Sequence, residues 1–148
     1  MTYKGKFKPR NPKKYKGNPT NIVYRSLWER QTFRWLDENP DVVRWSSEEI
    51  VIPYICATDR KKHRYFPDVY MKLRDGQEYL IEIKPKKETI PPKVRSRKTK
   101  KYIMEVLTWT KNESKWKYAE SYCKDRGWIF DIWHEDKLKG LGIKLLTG

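Results

Sequence analysis

The fold is decided by residues 65–84, which read YFPDVYMKLRDGQEYLIEIK. Apolar and polar side chains alternate over residues 65–73 and again over residues 79–84, a pattern typical of β-strands. Between them, Asp75 and Gly76 form a strong two-residue hairpin signal. The segment therefore predicts two antiparallel strands joined by a tight turn.

This hairpin predicts a catalytic centre. The two-residue period of a strand places Glu82 and Lys84 on one face, and antiparallel pairing brings Asp68 back toward that face. Two carboxylates bind Mg²⁺ or Mn²⁺ through oxygen, and the ion polarises a phosphate and lowers the pKa of a bound water. A nearby ammonium neutralises charge in the transition state or, with a depressed pKa, helps to deprotonate the water. Together these groups predict phosphodiester hydrolysis, with Asp68 and Glu82 as metal ligands and Lys84 as electrostatic catalyst.

Each of these residues also has a simpler interpretation. Glu82 and Lys84 could form a surface salt bridge, which contributes little to stability. Asp68 behind Pro67 could belong to a bulged edge strand. The three positions taken together favour a metal site.

Pro67-Asp68 followed by Glu82-Ile83-Lys84 resembles the motif of the PD-(D/E)xK nuclease superfamily. The arrangement is also similar to the N-terminal endonuclease domain of the TnsA transposition proteins, although that pattern often has Gln at the position of Glu82. This resemblance implies a further metal-site carboxylate on the preceding helix. In this chain that residue is Glu29, as a third ligand or an acid that orients the water.

Residues 21–133 also look like the small head-completion nucleases of tailed bacteriophages, which share this catalytic domain. That resemblance implies processing of packaged DNA late in virion assembly, before tail attachment. It also implies phage head or neck proteins as partners, and a location in the host cytoplasm with incorporation into the virion as an option.

Glu29 falls in a helix predicted over residues 24–39, which Pro40 ends. Ser26 and Glu29 also fit a capping box, in which Glu29 would only satisfy a backbone donor. However, Glu29 shares its side of the helix with Phe33 and Leu36, an inward setting that favours the catalytic role.

The remaining patterns predict an α/β fold: a restriction-endonuclease-like core with a mixed central sheet flanked by helices. Residues 50–55 and 128–133 are expected to be strands, and Gly127 is expected to cap a helix. Two further helices are expected over residues 102–109 and 114–124. We assign residues 21–148 to a single nuclease domain and residues 1–20 to a flexible basic arm.

The chain carries 34 Lys and Arg against 19 Asp and Glu, a net charge of +15, which predicts a nucleic-acid partner. Charge alone does not separate DNA from RNA or from a membrane surface. The basic arm and a basic loop after Lys84 are expected to contact phosphate without reading sequence. The expected DNA contacts are Lys13, Lys14, Lys16, Arg25, Lys86, Lys87, Arg95, Arg97, Lys98, Lys100 and Lys101.

Composition excludes several other classes of protein. Two distant cysteines, Cys56 and Cys123, indicate neither a disulfide framework nor a zinc site. No apolar run approaches a membrane span, and the basic start lacks the apolar segment of a secretory signal. A noncatalytic DNA-binding or structural virion protein and an RNA-directed nuclease remain as alternatives, and both a monomer and a homodimer remain open.

Overall fold

The structure, a computed structural model, describes residues 4–146. Its elements are β1 (Gly5–Phe7), β2 (Ile22–Tyr24), α1 (Leu27–Glu38), β3 (Val42–Ser46), β4 (Ile52–Ile55), β5 (Lys62–Tyr65), β6 (Val69–Leu73), β7 (Glu78–Ile83), α2 (Lys100–Arg126), β8 (Ile129–Trp133) and α3 (Glu135–Gly140). Short 3₁₀ turns lie at Pro12–Lys14 and Lys86–Thr89.

The central sheet has four strands in the order β3-β6-β7-β8. Strands β6 and β7 pair antiparallel, with Val69 opposite Ile81, so the predicted hairpin is confirmed. Strand β3 pairs antiparallel with β6, whereas β8 runs parallel to β7. The sheet is therefore mixed, as expected for this fold class.

The two faces of the sheet carry separate cores. On one face, Phe33 and Leu36 of α1 pack in a cluster with Trp45 and Ile81. On the other face, α2 contributes Trp116, Ala119 and Cys123 to a cluster with Leu80 and Tyr70. Neighbouring residues of a strand point to opposite faces, so one strand supplies both cores. This confirms the predicted α/β architecture.

The strand predicted over residues 65–73 is interrupted. Strand β5 ends at Tyr65 and pairs with β4 in a separate two-stranded sheet, and β6 begins only at Val69. Pro67 lies in the break, where it has no N–H to donate to a strand ladder. The interruption places Asp68 immediately before β6.

The two helices expected over residues 102–109 and 114–124 are one helix of 27 residues, α2. The sequence between the two expected helices contains no Gly or Pro that would end a helix. Gly127 follows in the left-handed conformation with φ of 71°, which confirms the predicted cap.

Strand β3 was missed by the sequence analysis.

The described part of the expected flexible arm, residues 4–20, is ordered against the domain, so this expectation was wrong. Strand β1 pairs with β2, and Tyr15 is only 6% exposed, packed against Trp45. Phe7 also contacts the Trp45 ring. Packing of aromatic side chains therefore holds this segment against the domain, although its many positive charges suggested a flexible arm. Residues 1–3 of that arm, and residues 147–148 of the assigned domain, lie outside the described residues.

Among residues 4–146, none of the helices combines the length and the apolar character needed to cross a membrane.

Candidate active site

An open cleft of about 430 Å³ contains all four residues predicted to be catalytic. Glu29 comes from the first turn of α1, Asp68 precedes β6, Glu82 lies in β7 and Lys84 follows it. The full lining is Arg25, Glu29, Glu48, Arg64, Tyr65, Phe66, Asp68, Glu82, Ile83, Lys84 and Lys115. The helix and the hairpin therefore bring together residues that are distant in the sequence.

Asp68 is a partly buried acid of the cleft. Its Oδ2 accepts a hydrogen bond of 2.8 Å from the backbone N–H of Ile83. Burial raises the pKa of Asp68 well above its usual range, and the charges of Glu82 and Glu29 raise it further. The cleft therefore concentrates negative potential that a cation would relieve.

Glu82 is 5% exposed and is held on both sides. Its Oε1 accepts a hydrogen bond of 3.0 Å from the Tyr65 hydroxyl, and its Oε2 lies 3.9 Å from Lys84 Nζ. Burial and the Glu82 charge raise the pKa of Tyr65, so this hydroxyl stays protonated and donates. The carboxylate is fixed in orientation, with Oε2 nearest the Lys84 ammonium.

Glu29 both makes hydrogen bonds at the start of α1 and lines the cleft. Ser26 Oγ accepts a hydrogen bond of 3.2 Å from the Glu29 N–H, and Glu29 Oε1 accepts one of 3.3 Å from the backbone N–H of Arg25. The same carboxylate lines the cleft. Burial raises its pKa, opposed by the Arg25 hydrogen bond and reinforced by the Glu48 charge. Capping the helix and facing the cleft are therefore compatible roles.

Glu48 is a site residue that the sequence analysis missed. One carboxylate oxygen each from Glu29, Glu48 and Asp68 lies within 4.8 Å of the others. Glu48 has a positive φ of 54°, which is uncommon for a residue other than Gly. Arg25 donates two hydrogen bonds, of 3.0 and 3.1 Å, to the Glu48 carboxylate. Glu48 follows β3, a strand that the sequence patterns did not indicate. The only sequence signal for Glu48 was therefore its own acidic side chain, next to Glu49.

The carboxylate cluster suits a divalent cation. Oxygens that bind one Mg²⁺ at about 2.1 Å lie at most about 4.2 Å apart. The oxygens of Glu29, Glu48 and Asp68 lie within 4.8 Å of one another, so a shift of at most a few tenths of an ångström would bring them to that distance. Glu82, a predicted ligand, lines the same cleft but falls outside that cluster. The donors are all hard oxygens, which favours Mg²⁺ or Mn²⁺ over softer metals.

Lys115 is a further cation of the cleft, beside Arg25, Arg64 and Lys84, that the sequence analysis did not identify. It lies on α2, and its Nζ is 5.6 Å from the centroid of the Tyr65 ring. Burial lowers the pKa of Lys115, whereas the Glu82 charge acts in the opposite direction. The acidic cleft therefore has basic residues from α2 as well as from the strand end.

Most of the expected DNA contacts are exposed. The exposed residues are Lys13, Lys16, Arg25, Lys86, Lys87, Arg95, Arg97, Lys98, Lys100 and Lys101. Lys86 Nζ pairs with Asp136 at 3.1 Å, and the Lys16 ammonium lies 4.9 Å from the centre of the Tyr70 ring.

Lys14 does not fit the expected role. Its ammonium donates to the carbonyl oxygens of Leu36, Asp37 and Asn39 at 2.8–2.9 Å, at the end of α1. An ammonium has three protons to donate, so these bonds use all of them. Lys14 therefore stabilises a helix end and has no donor left for a phosphate.

Comparison with known proteins gives two matches. The family described as "TnsA-like endonuclease N terminal" matches residues 39–135, a range that contains Glu48, Asp68, Glu82 and Lys84. The chain is also 49% identical over 148 residues to a protein named "Head completion nuclease" from Enterobacteria phage T4, covering 97% of this chain and 99% of that protein. The family match begins after α1, so Glu29 lies outside it.

Proposed function

The chain belongs to the family of TnsA-like endonuclease N-terminal domains, and on that premise we propose that it is a metal-dependent DNA endonuclease of phage head completion. The observation that carries this proposal is the convergence of Glu29, Glu48 and Asp68, with oxygens within 4.8 Å of one another, in the cleft that also holds Glu82 and Lys84. Metal-assisted hydrolysis of a phosphodiester uses such a set of acids beside a cation.

The acids of the cleft hold the metal in this proposal. Asp68, Glu29 and Glu48 supply clustered oxygens, and Glu82 supplies Oε2, because its Oε1 is engaged by Tyr65. A bound Mg²⁺ or Mn²⁺ supplies Lewis-acid polarisation of the phosphate and lowers the pKa of a bound water. The hydrogen bond from Ile83 keeps the Asp68 carboxylate oriented toward this position.

Lys84 supplies positive charge at the phosphate. Its Nζ lies 3.9 Å from Glu82, and its side chain is 26% exposed, so the ammonium is accessible from the cleft. Charge builds on the phosphate oxygens as the new P–O bond forms, and a fixed ammonium stabilises that charge more in the transition state than in the ground state.

Duplex DNA is the proposed substrate. The net charge of +15 favours a polyanion, and eight exposed basic residues in residues 85–101 follow the hairpin: Lys86, Lys87, Lys93, Arg95, Arg97, Lys98, Lys100 and Lys101. These side chains supply affinity through released counterions and do not read sequence. They would hold DNA while the acids act on one phosphate.

The biological step follows from the head completion relative. We propose that the chain trims packaged DNA at the filled head before tail attachment, in contact with head or neck proteins, in the cytoplasm of the host. Complementation of a phage T4 strain that lacks its head completion nuclease tests this step. We expect wild-type chain to restore infectious particles and Asp68→Ala not to; equal rescue by both would contradict a nucleolytic role.

The chemical proposal is tested with duplex DNA and RNA of the same sequence, each incubated with Mg²⁺, Mn²⁺ or EDTA. We expect DNA cleavage with either ion, none with EDTA, and intact RNA. Binding without cleavage under both ions would indicate a noncatalytic DNA-binding protein instead. Cleavage of RNA in preference to DNA would replace the proposed substrate.

A further inference from the structure

Lys115 extends from α2 into the cleft, where it lies among the acids and Lys84. Helix α2 packs on one face of the sheet and α1 on the other, so the cleft receives Glu29 from one helix and Lys115 from the other. The position of Lys115 is fixed by the helix, because its neighbour Trp116 and nearby Asn112 are both buried. A cation is therefore held at this wall of the cleft.

Lys115 differs from Arg25 and Lys84 in its partners, and from Arg64, which is also outside any ion pair in the described residues, in being partly buried. Arg25 is paired with Glu48, and Lys84 lies 3.9 Å from Glu82. Within residues 4–146, no carboxylate oxygen lies within 4.0 Å of the Lys115 ammonium, although the side chain is partly buried. Taking an ammonium partly out of water without a partner costs free energy.

Within the described part of the chain, the ammonium of Lys115 has one weak cation–π contact and no hydrogen bond or ion pair. Its Nζ lies 5.6 Å from the centroid of the Tyr65 ring, near the outer limit for a cation–π interaction. That ring is itself anchored, because the Tyr65 hydroxyl donates to Glu82. The ammonium is thus placed beside the reacting acids, with donors left for an anion from outside the protein.

We propose that Lys115 is a second phosphate-binding cation of this site, which binds a nonbridging oxygen of the DNA backbone from the α2 side while Lys84 acts from the strand side. The inference rests on the proposed nuclease function. Two cations on different elements would fix the phosphate between them, which positions it for attack as well as stabilising its charge.

The test compares Lys115→Met, Lys115→Arg and a control, Lys117→Met. Met keeps an unbranched apolar stem of similar length, and Arg keeps the charge. Lys117 lies on the same helix but is exposed, so its substitution removes an equal charge outside the cleft. Plasmid cleavage is measured at saturating DNA in Mg²⁺, together with the melting temperature of each variant.

We expect Lys115→Met to lower kcat by roughly tenfold or more, Lys115→Arg to recover a large part of that loss, and Lys117→Met to remain within about twofold of wild type. The melting temperatures should stay close to one another. Unchanged kcat in Lys115→Met, or equal losses in Lys115→Met and Lys117→Met, would overturn the inference. An inactive wild type would instead refute the proposed function itself.

DNA binding gives a second readout that does not depend on cleavage. In an Asp68→Asn background, Lys115→Met should reduce the slope of log affinity against log salt by about one, because the variant neutralises one phosphate fewer. A structural role for Lys115 would lower the melting temperature and leave that slope unchanged. This outcome would also overturn the inference.

Discussion

The carboxylate of Asp68 accepts a hydrogen bond of 2.8 Å from the backbone N–H of Ile83, the residue between Glu82 and Lys84. This bond joins the two halves of the acidic motif across the β6–β7 hairpin. The backbone of β7 therefore orients the Asp68 carboxylate within the cleft. Holding a charged Asp68 in this position is electrostatically unfavourable, because burial and the neighbouring acids raise its pKa.

Asp68→Asn should stabilise the metal-free protein at neutral pH. The raised pKa of Asp68 means that the folded protein binds this proton more tightly than the unfolded chain. The free energy of unfolding of wild type therefore falls as pH rises from about the ordinary value of 3.8 through the raised pKa. Asn carries no charge, and its oxygen still accepts from Ile83.

Thermal unfolding in EDTA at several pH values measures this effect. The stability gain of Asp68→Asn should be largest at neutral pH and should vanish at pH below 3.8. Added Mg²⁺ should raise the melting temperature of wild type more than that of the variant, since only binding to the folded state stabilises it. A variant less stable than wild type at neutral pH in EDTA would contradict the electrostatic interpretation.

Glu48→Gln should weaken metal binding. Glu48 contributes to the oxygen cluster with Glu29 and Asp68, and the amide removes one negative charge from it. We expect the Mg²⁺ or Mn²⁺ affinity to fall by roughly 10- to 100-fold, the range seen when support of a metal site is removed. Titration calorimetry checks this, with Glu49→Gln, an exposed neighbour, as the matched control. Equal metal affinities in the two variants would show that Glu48 does not contribute to metal binding.

Lys14→Met should destabilise the fold. The substitution leaves the carbonyls of Leu36, Asp37 and Asn39 without their shared donor at the end of α1. Because these hydrogen bonds come from a charged donor near a helix C-terminus, their removal should lower the free energy of unfolding by about 1–3 kcal/mol. Urea denaturation measures it. Lys13→Met, one residue earlier and exposed, should change stability little. Similar stability in both variants would show that the Lys14 hydrogen bonds contribute nothing.

DNA binding should weaken steeply as salt increases. Exposed Arg95, Arg97 and Lys98 lie in the basic segment that follows the catalytic hairpin. Replacing all three by Ala should reduce the slope of log affinity against log salt by about three, since each of these side chains is expected to neutralise one phosphate. Fluorescence anisotropy with a labelled duplex measures the slope. A flat response in wild type would contradict phosphate-driven binding.

Local patterns were sufficient to predict the hairpin and to bring three residues of the candidate site together. Alternation and the Asp75-Gly76 signal predicted the pairing of β6 with β7, and this pairing brings Asp68 near Glu82 and Lys84. The predicted two-residue turn was wrong in length, because Lys72 lies opposite Glu78 and the Leu73 N–H donates to the Gln77 oxygen, which leaves residues 74–76 as the loop. The break at Pro67 was missed because alternation continues through it, although β5 leaves for another sheet.

Two residues that reach the cleft only through the tertiary fold, Glu48 and Lys115, were not predicted, whereas Glu29 was predicted from the family resemblance. Glu48 follows a short strand without a distinct pattern, and Lys115 is one of many lysines on a helix until α2 is seen to border the cleft. The packing of residues 4–20 against the domain was not predicted, because their many basic residues suggested a flexible arm. Phe7 and Tyr15 are held there by contacts with Trp45, which is distant in sequence.

Relaxation of a supercoiled plasmid by wild type, Asp68→Ala and Asp125→Ala, with and without Mg²⁺, decides whether the acidic cleft is a nuclease centre. Asp125 is an exposed acid near the end of α2 and serves as the control. We expect wild type and Asp125→Ala to cut only with the ion, and Asp68→Ala to bind DNA but lose cleavage by at least about 100-fold. Cleavage by Asp68→Ala at the wild-type rate, or undiminished cleavage in EDTA, would contradict a metal centre at Asp68.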